Sequence, residues 1–218
     1  MTTLDAFLSL QSTAATYYPC EKQCQAGEAL VITDGNGPAT NPMNLANIDK
    51  LRILNFPAPV LLKTAAPVEA FDKQLAELAE RMFVLMRQEQ GVGLAAPQVG
   101  VSLRMFVCNP TGEPADDRVV VNPRFVEMTG AEEASEGCLS LPGVTVNVRR
   151  ATEVVLDAQD LHGQELRLNG QDLAARVWQH ETDHLDGKLI LDYMSPTDEI
   201  ANRRAIKQLK DDYKAAHA

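Results

Sequence analysis

Two histidines four residues apart bracket a glutamate in His180-Glu181-Thr182-Asp183-His184, and this spacing constrains the chain more than any other feature. On an α-helix, residues i and i+4 share a face, so both imidazoles reach one metal ion, with Glu181 beside the first as a non-ligating acid/base. The segment therefore has to be helical, and its flanks agree. Asp172 supplies an N-cap, Gly187 a stop, and Leu173 and Val177 extend the face of Glu181 and His184 as an apolar stripe. A stripe that runs into the ligands predicts a partly buried centre, where an imidazole without a partner is costly and a metal provides one.

Two imidazoles leave the coordination incomplete, because hydrolytic zinc-type sites use three protein ligands and keep one position for water. A third histidine six residues after the second is excluded, since position 190 is Ile190. A carboxylate from a later helix would be Glu199. A thiolate would be Cys138, in the loop-like run Glu136-Gly137-Cys138-Leu139-Ser140-Leu141-Pro142. A lone cysteine is usually a small buried hydrophobe; beside two helical histidines the balance moves toward ligation.

The rest of the chain reads as a frame for that helix. The run TDGNGPATNPMNLAN (33–47) is dense in turn and breaker residues, so residues 1–50 read as an extension or linker of unknown role. Met43 stands as a candidate alternative start, and residues 51–218 form the domain proper. Leu75, Leu78, Met82, Leu85 and Met86 repeat at three and four residues, predicting a helix with Asp72 as N-cap and Gly91 as stop. Short β-type runs follow at 103–108, 118–122, 124–129, 144–149, 152–157 and 164–168, the last two joined as a hairpin through Asp160–Gly163. A third helix covers 197–215. Strands grouped between helices, without βαβ alternation, predict an α+β fold: short antiparallel strands packed around the metal-binding helix, with one helix on its N-terminal side and one at the C-terminus.

Composition removes several functions. With 45% hydrophobic and 23% charged residues, the chain can bury a core. No apolar run approaches the ~20 residues of a membrane span. A net charge of −10 argues against a dedicated DNA or RNA binder, which shows a basic domain or stripe. The first 50 residues carry acidic groups, and the first arginine is Arg52, unlike secretory or mitochondrial targeting peptides, so the cytoplasm is the expected compartment.

One further stretch, Gly91-Val92-Gly93-Leu94-Ala95-Ala96-Pro97-Gln98-Val99-Gly100, gathers small residues around one amide. Gly and Ala let a ligand approach the backbone, and Gln98 offers both a donor and an acceptor. It is not a phosphate loop, lacking both the Lys-Ser/Thr ending and a preceding strand. Taken in order, GVGLAAPQVG, EGCLSLP and QHETDHLDG resemble the three signature motifs of peptide deformylases, a resemblance that covers residues 51–215 and includes LNFPAPVL at 54–61.

The resemblance implies a metal held by Cys138, His180 and His184, with Fe2+ as the native ion; the donor set also accepts Zn2+, Ni2+ or Co2+. It implies Glu181 as catalytic acid/base, an oxyanion site from the Gln98 side chain and the Leu139 N–H, and substrate backbone contacts near Gly93. Val92, Leu173 and Val177 become the walls of a methionine pocket. The implied reaction removes the formyl group from the N-terminal methionine of newly made polypeptides and releases formate. Thr145 departs from the family, which often carries an arginine facing the peptide there, so a weaker hold on longer peptides is expected.

Two other readings compete. One is a zinc endopeptidase that uses Glu199. The other is a catalytically silent scaffold that binds peptide or ribosome, which should have lost Gln98, Cys138, Glu181 or a histidine; all are present. Arg203, Lys207, Lys210 and Lys214 share one side of the third helix, an ordinary solvated face that the family resemblance turns into a weak ribosome-docking surface. Glu136 and Asp183 are candidates to orient the imidazoles. Cys20 and Cys24 read as free thiols, Cys108 and Trp178 as packing, and His162 and His217 as solvated.

Overall fold

The computed structural model describes residues 31–32, 41–42 and 45–217, with side chains from residue 48. Cys20, Cys24 and Met43 lie outside the described residues. In chain order, the strands are β1 (Val31–Ile32), β2 (Asn41–Pro42), β3 (Gly93–Ala95), β4 (Met105–Cys108), β5 (Arg118–Thr129), β6 (Glu132–Gly137), β7 (Thr145–Arg150), β8 (Glu153–Gln159) and β9 (Glu165–Gln171). The α-helices are α1 (Lys73–Gln88), α2 (Asp172–Leu185) and α3 (Pro196–Ala216). Strands β3-β4-β5-β8-β9 form one antiparallel sheet, and β6 pairs only with β7.

The period of two along β4 builds the core. Met105 and Val107 join the cluster beneath α1, with Leu75, Leu78, Met82 and Leu94, whereas Phe106 and Cys108 face the other way onto Ala175, Val177 and Trp178 of α2. Strand β4 is thus covered on both faces, and Cys108 and Trp178 are packing residues as expected. A third cluster joins β7, through Val146 and Val148, to Leu189 and Ile190 in the segment between α2 and α3 and to Leu209 of α3. No helix of the described residues is long and apolar enough to cross a membrane.

Several boundaries differ from the sequence reading. Asp72 caps α1 as expected, its Oδ1 accepting from the N–H groups of Gln74 (2.9 Å) and Leu75 (3.1 Å). The helix ends before Gly91, however, because Gln90 takes the left-handed turn (φ 56°). Asp172 does not cap α2. It is the first helical residue, with φ 50°, and Gln171 occupies the cap position without a side-chain bond, because β9 runs into the helix with no loop between them. The predicted strands at 118–122 and 124–129 are one strand, β5. Its register shifts near Asn122 (φ 50°), whose side chain reaches the backbone N–H and C=O of Val68. The hairpin at Asp160–Gly163 forms as predicted, Asp160 Oδ1 accepting from the N–H of His162 and of Gln164. His162 is exposed there, while the His217 ring stacks on Tyr213 at 4.0 Å.

Candidate active site

Helix α2 delivers His180, Glu181 and His184 to one place, and the turn after β6 brings Cys138 to meet them. Cys138 Sγ lies 3.3 Å from His184 Nε2, and the ligating atoms of Cys138, His180 and His184 all fall within 4.8 Å of one another. Donors held ~2.3 Å (S) and ~2.0–2.1 Å (N) from one tetrahedral ion stand roughly 3.3–3.6 Å apart, so one thiolate and two imidazoles fit a single metal. Among the described residues this triad is the one group so arranged. Glu199 is exposed on α3 and is not part of it.

Behind His180 lies a buried ion cluster. Glu136, at the end of β6, accepts from Arg150 Nε (2.7 Å) and Nη2 (2.9 Å) and from Arg176 Nη1 (2.7 Å), and its Oε2 is 3.0 Å from His180 Nδ1. Burial alone would raise this carboxyl, but the hydrogen bonds from His180 and Arg150 outweigh it and hold Glu136 down at about 2. Asp183, the other candidate to orient an imidazole, instead accepts from Arg150 Nη1 (2.7 Å) and the Tyr193 hydroxyl (2.9 Å). Arg150 was not singled out in the sequence, although a signal exists. The run TVNVRR places Val146, Val148 and Arg150 on the buried side of β7, and an arginine on a core face requires a carboxylate partner.

The two imidazoles differ. Burial disfavours a charged His180, yet Cys138 and Glu136 outweigh it and raise that ring to about 10. His184 has no carboxylate partner: its Nδ1 is buried without a hydrogen bond among the described residues, and burial drives its proton affinity down.

Gln98 sits in the 3-10 turn Ala96–Val99 that follows β3. Its Oε1 accepts from the Ala95 N–H (2.8 Å), which fixes the orientation of the amide, and Nε2 then donates to Ser140 Oγ (3.2 Å) and toward Cys138 Sγ (3.6 Å). Glu181 is 4% exposed, and its Oε2 meets no donor. Burial pushes this carboxyl up to about 7, against the pull of His180 and Arg150.

These groups end an open groove of about 490 Å³ lined by Val92, Gly93, Gln98, Cys138, Leu139, Thr145, Leu173, Val177, His180 and Glu181. Every predicted site residue is therefore at the groove except His184, which is buried behind it. Val177 is buried, whereas Val92 and Leu173 are 41% and 48% exposed and form the rim. A larger groove of about 650 Å³, between Phe56 and Tyr213, contains none of these residues.

An α+β scaffold that sets a His-Glu-x-x-His helix against a thiolate and a primary amide at the end of a peptide-sized groove defines a metal-dependent amide hydrolase. The family described as "Polypeptide deformylase" matches residues 50–199. The chain is 50% identical over 134 residues to the peptide deformylase of Dictyoglomus thermophilum, an overlap of 62% of this chain and 86% of that protein. Its structure is similar to a crystal structure of a peptide deformylase from Legionella pneumophila (TM-score 0.70, 43% identity, 74% of this chain and 96% of that one). It is likewise similar to that of the Plasmodium falciparum peptide deformylase (TM-score 0.74, 34% identity, 77% and 99%). The chain belongs to the peptide deformylase family.

Proposed function

We infer that Cys138, His180 and His184 hold the metal and that Glu181, Gln98 and Leu139 carry the chemistry of this deformylase. The enzyme hydrolyses the N-formyl group of newly made polypeptides and releases formate. The observation that supports the assignment best is the 3.3 Å approach of Cys138 Sγ to His184 Nε2 beside the buried Glu181 carboxylate, whose Oε2 meets no donor among the described residues.

A divalent ion bound by the triad supplies Lewis acidity and lowers the pKa of a water from 15.7 toward ~7. Glu181 takes the proton of the attacking water and returns it to the departing amine nitrogen, a task that suits a carboxyl whose proton affinity burial raises. As the formyl carbon becomes tetrahedral, its oxygen gains charge, and Gln98 Nε2 with the Leu139 N–H receives it. The backbone at Gly93 holds the peptide, and Val92, Leu173 and Val177 wall the methionine side chain.

Iron(II) is the proposed native ion; a Cys/His₂ set also accepts Zn2+, Ni2+ and Co2+. Residues 51–218 form the catalytic unit and residues 1–50 an extension, and the cytoplasm is the proposed compartment. Arg203, Lys207, Lys210 and Lys214, all exposed on α3, support weak docking to the ribosome. The deciding experiment measures formate release from an N-formyl-methionyl tripeptide by protein prepared without oxygen and supplied with Fe2+ or Ni2+. Turnover that Cys138→Ala abolishes together with bound metal is expected. Full metal content and turnover in Cys138→Ala would overturn the ligand set.

A further inference from the structure

We propose that Gly93 is a positioning residue for Glu181: a bare Cα on β3 sets where the carboxylate rests. The inference depends on Glu181 being the proton-transfer group. Leu94 packs toward α1 and Ala95 toward α2, so by the two-residue period position 93 also faces α2. A Cβ built there would lie 2.3 Å from Glu181 Oε1, 2.8 Å from Cδ and 3.0 Å from Cγ. The backbone of Gly93 does not require glycine, since it lies in β3 and is not among the residues of positive φ. Space alone requires it.

The contrast with Glu136 shows why the contact matters. Glu136 is held by Arg150, Arg176 and His180, whereas Glu181 Oε2 is buried and meets no donor among the described residues. A carboxylate that must exchange a proton with water is best left untethered, and packing then has to orient it. The bare Cα of Gly93 leaves room for that carboxylate, and an added methyl would occupy the volume of the carboxylate itself.

The test compares wild type, Gly93→Ala, Glu181→Asp, the double variant and Glu181→Ala, each loaded with Ni2+ and assayed for metal content, kcat and KM on an N-formyl-methionyl tripeptide. Gly93→Ala is expected to keep one metal per chain. Its kcat should fall at least ~10-fold, a part of the 10²–10⁴ that positioned proton transfer provides. Glu181→Asp withdraws the carboxylate by one methylene and makes room for the methyl, so adding Gly93→Ala to it should lower kcat less than about threefold. A crystal structure of Gly93→Ala should show the carboxylate moved by roughly 1 Å, the distance from 2.3 Å to an ordinary contact. Equal factors in both backgrounds, an unchanged kcat, or a raised KM at constant kcat would each overturn the proposal. If Gly93→Ala alone does not fold, the double variant, where the collision is relieved, is expected to fold with full metal; its failure also overturns it. Undiminished turnover in Glu181→Ala would instead remove the acid/base reading on which the proposal depends. An inactive Glu181→Ala beside a fully active Gly93→Ala would sink the Gly93 inference alone.

Discussion

The Glu136 carboxylate lies 3.0 Å from Nδ1 of His180, which leaves Nε2 of that ring as the nitrogen turned toward Cys138 and His184. A carboxylate behind a ligating imidazole fixes its tautomer and raises its basicity, and losing such a partner typically weakens metal binding ~10–100-fold. Glu136→Gln is therefore expected to lower metal affinity by that factor in competition with a chelator. An unchanged affinity would mean that packing alone orients His180.

The same carboxylate makes stability depend on pH with a defined sign. Glu136 has a folded-state pKa of about 2 against an ordinary 4.5, so its stabilising contribution is complete above about 4.5 and is lost as pH falls toward about 2. Such a depression corresponds to a few kcal/mol, and replacing one member of a buried ion cluster commonly costs ~3–5 kcal/mol. Urea unfolding of the metal-free protein should show Glu136→Gln less stable than wild type by an amount of that order at pH 7. The gap should narrow steadily between pH 4.5 and 2; a gap that stays constant over that interval would assign the effect to shape rather than charge.

These two expectations rest on a partner of Arg150 that sequence periodicity could only hint at. Helix α2 was legible because an i, i+4 histidine pair and a following Gly187 both act within a few residues, and α1 was legible through its apolar repeat. Strand β6 was not: Glu132–Gly137 is a polar run whose only pairing is with β7, so its strand character comes from a partner distant in sequence. Likewise β3 is three residues long and owes its extension to β4. The cap of α2 was misplaced because Asp172 has the right side chain but a backbone fixed by its N–H bond to the Thr152 carbonyl. Among the site residues, the ligands and Gln98 were readable from three motifs in order. The Arg150–Glu136–Asp183 cluster appears only once β7 is folded over α2.

Gln98 is oriented from both ends, by the Ala95 N–H at Oε1 and by Ser140 Oγ at Nε2. Removing one oxyanion donor typically raises the barrier by ~2.7–4 kcal/mol. Gln98→Ala is expected to lower kcat ~10²–10³-fold with little change in KM. Ser140→Ala should have a smaller effect of the same kind, because it loosens the amide without deleting it. A Gln98→Ala enzyme that loses only KM would place the amide in substrate binding.

Thr145 stands at the rim of the groove with its backbone fixed independently of its side chain. Its N–H donates to Asn202 Oδ1 at 3.1 Å and its carbonyl accepts from Asn202 Nδ2 at 2.8 Å, so α3 holds β7 in place at this residue whatever the side chain is. The side chain itself is exposed and borders the groove opposite Gly137. Thr145→Arg should therefore fold like wild type and add a cation that reaches along the groove toward the carbonyls or carboxylate of a bound peptide. KM is expected to fall severalfold for N-formyl-methionyl tri- and tetrapeptides, with kcat unchanged and no effect on N-formyl-methionine alone. The gain should shrink as salt rises, because an exposed charge contact is screened within a Debye length of ~8 Å at physiological ionic strength. A KM that improves equally for N-formyl-methionine, or that ignores salt, would show that the arginine acts on the pocket rather than on the extended peptide.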